Sequence, residues 1–259
     1  MSTGYSMPAK YDVAYERLLA DVAAVASQTD AEITPFWPIV GSKYDGGLLV
    51  IGRSVNGWIE NWPIAKLATP EVRREVVRVM RTDAEPTDRS RMRWVTDMAG
   101  SGHHYNTNHS AFWRVLRSCS LSQLGADEAD WPDNLAWTNL YKVAPAAGWN
   151  PGSDLQLAQR RAAIELIQIE LEALRPLRIL ALTGASWLRP FLETFIDDIE
   201  WCTGLVEGVG RRGSTAVVVS RHPMAKPQAP FVREVLDAFD SLSSAPAESA
   251  LHARARAQV

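Results

Sequence analysis

Cysteine is scarce: Cys119 and Cys202 are the only two in 259 residues. Two thiols alone complete neither a structural zinc site nor the ligand set of an iron–sulfur cluster. Both read as buried, reduced thiols of a cytoplasmic protein. No apolar run is long enough for a transmembrane helix, so no membrane partner is expected. Met1 to Lys10 holds none of the apolar stretch that a secretory leader carries. Positive charge is not in excess either. Lys and Arg total 27 against 30 Asp and Glu, a net charge of -3, which argues against a uniformly basic nucleic-acid coat. Contact with nucleic acid would need a local patch, for which Arg89, Arg91, Arg93, Arg211 and Arg212 are available. Solvated surface charge is the plainer reading of each. The glycine spacings of a phosphate-binding P-loop and of a dinucleotide fold are both missing.

What is present is a set of four short apolar runs, each ending in a polar cluster. They are Gly47 to Ser54, Leu135 to Lys142, Leu177 to Gly184 and Thr215 to Pro223. Near-continuous apolar strands belong to parallel sheets buried on both faces. In an open parallel sheet, ligands bind beyond the carboxyl ends of the strands. Those ends carry Ser54, Asn56, Asn139, Lys142, Thr183, Arg221 and His222. Helical periodicity predicts helices over 10–29, 69–81, 110–118, 153–174, 185–197 and 229–242. Thr69 before Pro70 marks one start; Ser153 or Asp154 caps another, and Pro176 ends it. Residues 32–45 read as an extended lead-in. Residues 82–108 are polar and read as a functional or disordered loop. One domain over 1–242 and a flexible tail over 243–259 are expected.

Four local features carry competing readings. Gly52-Arg53-Ser54-Val55-Asn56-Gly57-Trp58 follows a strand and is either a ligand-approaching turn or a turn alone. His103, His104 and His109 lack the spacing of a helical metal pair, and no metal is expected. His222-Pro223 is either an oxyanion donor or a plain sheet-end histidine. Phe112-Trp113 is either core or a platform on which a base stacks.

Taken in order, these segments resemble the uracil-DNA glycosylase superfamily. Gly52 to Gly57 stands where the first motif follows strand one. His109 to Leu116 is similar to the Asn-x-Phe-Trp-basic-x-Leu segment of its mismatch-specific branch. Thr138-Asn139-Leu140-Tyr141-Lys142, with Pro145 and Pro151 after it, is similar to the Thr-Asn-x-x-Lys strand and its Pro-rich loop. Arg175-Pro176 through Gly184, then His222-Pro223-Met224, complete the series.

The resemblance implies a three-layer α/β/α fold around a four-stranded parallel sheet of order 2-1-3-4. It implies a hydrolase of DNA repair that flips uracil or another damaged base and cleaves its N-glycosidic bond, with no cofactor. Asn139 would read the base edge, Phe112 would stack on it, and Gly52 would line its pocket. His222 would stabilise the departing base, with Ser54 or Asn56 placing water. Arg53, Lys142 and Arg221 would contact the nucleic-acid backbone. The first motif holds no carboxylate, and Arg53 stands where one branch has Glu. The alternative is therefore an inactive or repurposed binder of a nucleobase, nucleotide or nucleic acid. A cytoplasmic monomer is favoured.

Overall fold

Successive side chains of a strand leave on opposite faces, so four apolar strands present two apolar faces to be covered. The computed structural model describes residues 5–26, 31–57, 60–84, 91–99 and 105–244. Trp58, Arg89, His103, His104 and the tail from residue 245 lie outside the described residues. In chain order come helix α1 (Ala9–Ala26) and strands β1 (Glu32–Pro35), β2 (Ile39–Val40), β3 (Leu48–Gly52) and β4 (Trp62–Pro63). Helices α2 (Pro70–Ala84), α3 (Trp94–Asp97) and α4 (Ala111–Gln123) precede strands β5 (Leu135–Asn139) and β6 (Val143–Pro145). Then follow helix α5 (Ser153–Leu174), strand β7 (Arg178–Ala181) and short helices α6 (Ala185–Leu188) and α7 (Leu192–Phe195). Strands β8 (Asp198–Trp201), β9 (Val206–Arg212) and β10 (Thr215–Ser220) and helix α8 (Gln228–Ser244) close the chain.

Seven strands form one mixed sheet in the order β2-β5-β3-β7-β10-β9-β8. The four apolar runs are its centre: β5 with β3, β3 with β7 and β7 with β10 pair in parallel. The sheet does not stop at them. β2 adds antiparallel to β5, and the β8–β9 hairpin adds antiparallel to β10. The expected four-stranded, all-parallel sheet is thus corrected to a seven-stranded mixed one. β2 has only two residues, and β9 is half-exposed with charged side chains and glycines. Neither carries the continuous apolar run of a buried parallel strand. The lead-in over 32–45 supplies β1 and β2, and β1 joins β4 and β6 in a separate three-stranded sheet.

Each face of the large sheet has its own apolar cluster. Leu49, Ile51, Ile179, Val217 and Val219 pack with Leu18 and Val22 of α1 and Leu166 of α5. Leu48, Val50, Leu180 and Val218 pack with Leu116 of α4 and Phe231 of α8. Each side chain so covered stabilises the fold by about 1.5–3 kcal/mol.

Helix ends follow local chemistry, with some corrections. α2 starts at Pro70, and the Thr69 carbonyl accepts the N–H of Arg73. Gly152, not Ser153 or Asp154, caps α5, whose other end is Arg175 at φ 44 before Pro176. The helix expected over 185–197 breaks into α6, a 3-10 turn over Arg189–Phe191 and α7, with Pro190 at the break. Within 82–108, residues 91–99 form a turn and α3, with Met92 and Val95 buried. Ser243 and Ser244 belong to α8 rather than to a tail. Among the described residues no helix is long and apolar enough to cross a membrane.

Candidate functional site

The parallel strands β5, β3, β7 and β10 end along one edge, which brings Asn139, Gly52 to Asn56, Thr183-Gly184 and Arg221-His222 to that edge. Asn139 lies two residues after Trp137 and shares its face of the sheet. Its Oδ1 falls under 3.0 Å from where a Cβ on Gly52 would stand. Glycine is what lets this amide lie across the neighbouring strand. Asn139 is 1% exposed, and its Nδ2 has no hydrogen-bond partner. Buried amides normally satisfy both ends. Here a buried donor is unspent at the edge where ligands enter such sheets.

Lys142 does something different from what its position in sequence implies. It is fully buried and ion-paired to Glu170 at 2.7 Å. Its ammonium also donates to Thr138 Oγ1 at 2.7 Å and to the Asn139 carbonyl at 2.8 Å. Tyr11 and Thr138 hydroxyls donate to the two Glu170 oxygens at 2.5 and 2.8 Å. Burial pulls the Lys142 pKa down, against the Glu170 charge. The expected contact with a nucleic-acid backbone is therefore corrected: all three donors are spent inside the core. Lys142 instead fixes the backbone of Asn139 from beneath.

On the β7–β10 side, Arg53 Nε donates to the Thr183 carbonyl at 2.7 Å, with its guanidinium 5.0 Å from the Trp187 ring centroid. Glu207 accepts the Ala185 N–H at 2.6 Å and pairs with Arg221 at 3.4 Å. His222 Nδ1 accepts the Met224 N–H at 3.3 Å, which leaves the proton of the neutral ring on Nε2. Burial first, then the Arg53 charge, pull the His222 pKa from 6.5 to about 4. The imidazole is thus a neutral donor at pH 7.

The loop after β3 is tied to the loop after β6. Ser54 Oγ donates to Asn150 Oδ1 at 3.1 Å, and Asn56 Oδ1 accepts the Trp149 N–H at 3.0 Å. Trp149 is 83% exposed and sits at φ 77. A bulky residue in that left-handed conformation costs about 1–3 kcal/mol and persists only where its surroundings impose it. Both polar side chains expected to place water are therefore engaged with this loop.

Phe112, half-buried on α4, stacks edge-on against Trp113 at 5.1 Å and tilts against Trp137 at 6.2 Å. The Trp137 indole nitrogen is 3.6 Å from the same Cβ position on Gly52. Phe112, Trp137, Gly52 and Asn139 thus form one contiguous wall. None of these four lines the cavity of about 500 Å³ formed by Val95, Thr107, Trp113, Arg117 and Trp131, which meets them through Trp113. Its cations are already spent: Arg117 pairs with Glu128, and Arg114 donates to the carbonyls of Asn108 and His109 and to Gln228.

Among the described residues, the basic residues considered for a patch are spread over different elements. Arg211 and Arg212 pair with the start of β10, opposite the end that carries His222. Arg91 donates to the Thr82 carbonyl, and Arg93 pairs with Asp97. Cys119 is buried but Cys202 is exposed, which corrects the expectation of two buried thiols. Among the described residues no three His, Cys, Asp or Glu side chains are grouped as a metal site. Sequence reading missed Trp137 and Trp187, whose places beside Gly52 and Arg53 follow only from the fold, and Glu207, a lone acid in an unrecognised strand. No protein-family model matches the chain, and no curated protein matches it in sequence.

Proposed function

We propose that the strand-end cleft receives one nucleobase turned out of a nucleic-acid strand, and that the chain is a divergent DNA glycosylase. The Asn139 amide carries this reading. A base such as uracil offers a donor and an acceptor side by side, and an amide answers both. Asn139 holds such an amide 1% exposed, with Nδ2 unpartnered. The parallel quartet of order 2-1-3-4 between helices supports kinship with the uracil-DNA glycosylase fold.

In the proposed reaction, water bonds to C1′ of the sugar as the C1′–N bond breaks. The electron pair leaves with the base. The His222 Nε2–H donates to the base oxygen on which that charge gathers. Ser54 and Asn56 orient the water, and its proton reaches the departing base through solvent. Arg53 and Arg221 face the phosphates.

One observation favours a second reading, a binder that does not cleave: Ser54 and Asn56 are both held by the loop after β6. Labelled single- and double-stranded oligonucleotides carrying uracil, hypoxanthine or mismatches decide between the two. The glycosylase reading expects alkali-labile abasic sites with wild type and none with Asn139→Ala. Retention of the oligonucleotide without cleavage, still dependent on Asn139, establishes the binder. Neither cleavage nor retention overturns both.

A further inference from the structure

The chain buries Trp37, Trp113, Trp131 and Trp137, yet it presents Trp149 to solvent at 83% exposure. It does so in a backbone conformation, φ 77, that a tryptophan rarely adopts. The conformation is held from outside its own loop: the Trp149 N–H donates to Asn56 Oδ1, and Asn150 Oδ1 accepts from Ser54. Both tethers come from the loop that follows β3, the strand paired with β5, which carries Asn139. The backbone that carries this solvent-facing indole is thereby anchored to the loop at the strand-end edge.

We propose that Trp149 is a stacking platform for the base adjacent to the one that enters the cleft. This rests on the nucleobase reading of the cleft and names how the strand around that base is held. When one base leaves the stack, its neighbour loses a partner surface. An exposed indole on an anchored backbone supplies another, and it does so for any base because every base has a π-face. The partner is a nucleic-acid strand rather than a protein because the other groups at this edge suit one. Asn139 Nδ2 is unpartnered at the same strand-end edge, and Arg53 and the exposed Arg221 stand there with Glu207 as their shared acidic neighbour, a net positive charge.

The test uses the full chain and oligonucleotides with 2-aminopurine beside uracil or beside a tetrahydrofuran abasic analogue. Wild type is expected to quench the 2-aminopurine. Trp149→Phe retains most of the affinity, and Trp149→Ala lowers it about 5- to 150-fold. Trp149→Gly gives the same loss with no fall in melting temperature, because glycine accepts the positive φ. Trp201→Ala, which removes the exposed indole on β8, leaves binding unchanged. If wild type binds none of these oligonucleotides, the nucleobase reading fails and this proposal falls with it. If binding depends on Asn139 but Trp149→Ala and Trp149→Gly bind and quench like wild type, the reading stands and the platform is overturned. Unchanged oligonucleotide affinity with an altered sedimentation coefficient for Trp149→Ala makes the indole a protein contact, and this also overturns the platform.

Discussion

The Oδ1 of Asn139 occupies the space that a methyl group on Gly52 would need. The two residues sit side by side on paired strands, and the amide lies where it does because its neighbour has no side chain. Gly52→Ala is a test that leaves Asn139 itself untouched. The obstruction is the end of a side chain, so the amide rotates away and the fold survives. The expected cost is about 1–3 kcal/mol of stability from overpacking. Discrimination between uracil and an abasic analogue in oligonucleotide binding is expected to vanish. Retained discrimination would mean that the amide does not read the base.

Lys142 and Glu170 should behave as a buried pair and not as surface charges. Lys142→Met leaves the Glu170 carboxylate without its cation and should cost about 3–5 kcal/mol in urea unfolding. Adding Glu170→Leu removes the orphaned charge and should recover much of that loss. A loss below about 1 kcal/mol for the single variant would be the behaviour of an exposed pair.

How much of this arrangement is legible in the sequence depends on burial. The four parallel strands announce themselves because both faces are covered and the runs are nearly all apolar. The β8–β9 hairpin does not, since β9 alternates Val206 and Val209 with charges and glycines at the sheet margin. Asn139 and His222 follow from the strand ends alone. Lys142 misleads because lysine at a strand end is nearly always solvated. Its signal lay elsewhere, in Glu170 between Ile169 and Leu171 on the buried face of α5. Trp149 gives no sequence signal, because its backbone is held by Asn56, more than ninety residues earlier in the chain.

The depressed His222 pKa makes a pH prediction with a definite sign. Between about 4 and 6.5 the unfolded chain binds a proton that the folded chain refuses. Stability therefore falls as pH is lowered through that window and is unaffected by this group above it. His222→Gln should flatten part of the fall in melting temperature between pH 6.5 and 4. It should change little at pH 8. An equally steep fall in the variant would show that His222 is not the group responsible.

The two thiols should separate in a titration with an aromatic disulfide reagent. Cys119 is buried, and burial pushes its pKa up to about 12. Cys202 is exposed, though burial of the sulfur and the nearby Glu200 raise its pKa too. One thiol should react in the native protein, and a second only after denaturation. Two equivalent native thiols would contradict the placement of Cys119 between α4 and the sheet.

The pairing of β3 also sets the order in which the molecule can be built. Leu48 is matched to Leu135 on one side and to Arg178 on the other. The central strand is thus made early on the ribosome, yet its first neighbour ends only at Asn139 and its second at Ala181. Such long-range pairing is slow, because loop closure precedes its reward. During synthesis at about 5–20 residues per second, a strand apolar on both faces stays uncovered for many seconds. Its exposure to aggregation is therefore greatest in the nascent chain and ends when β5, β7 and the covering helices α5 and α8 have arrived.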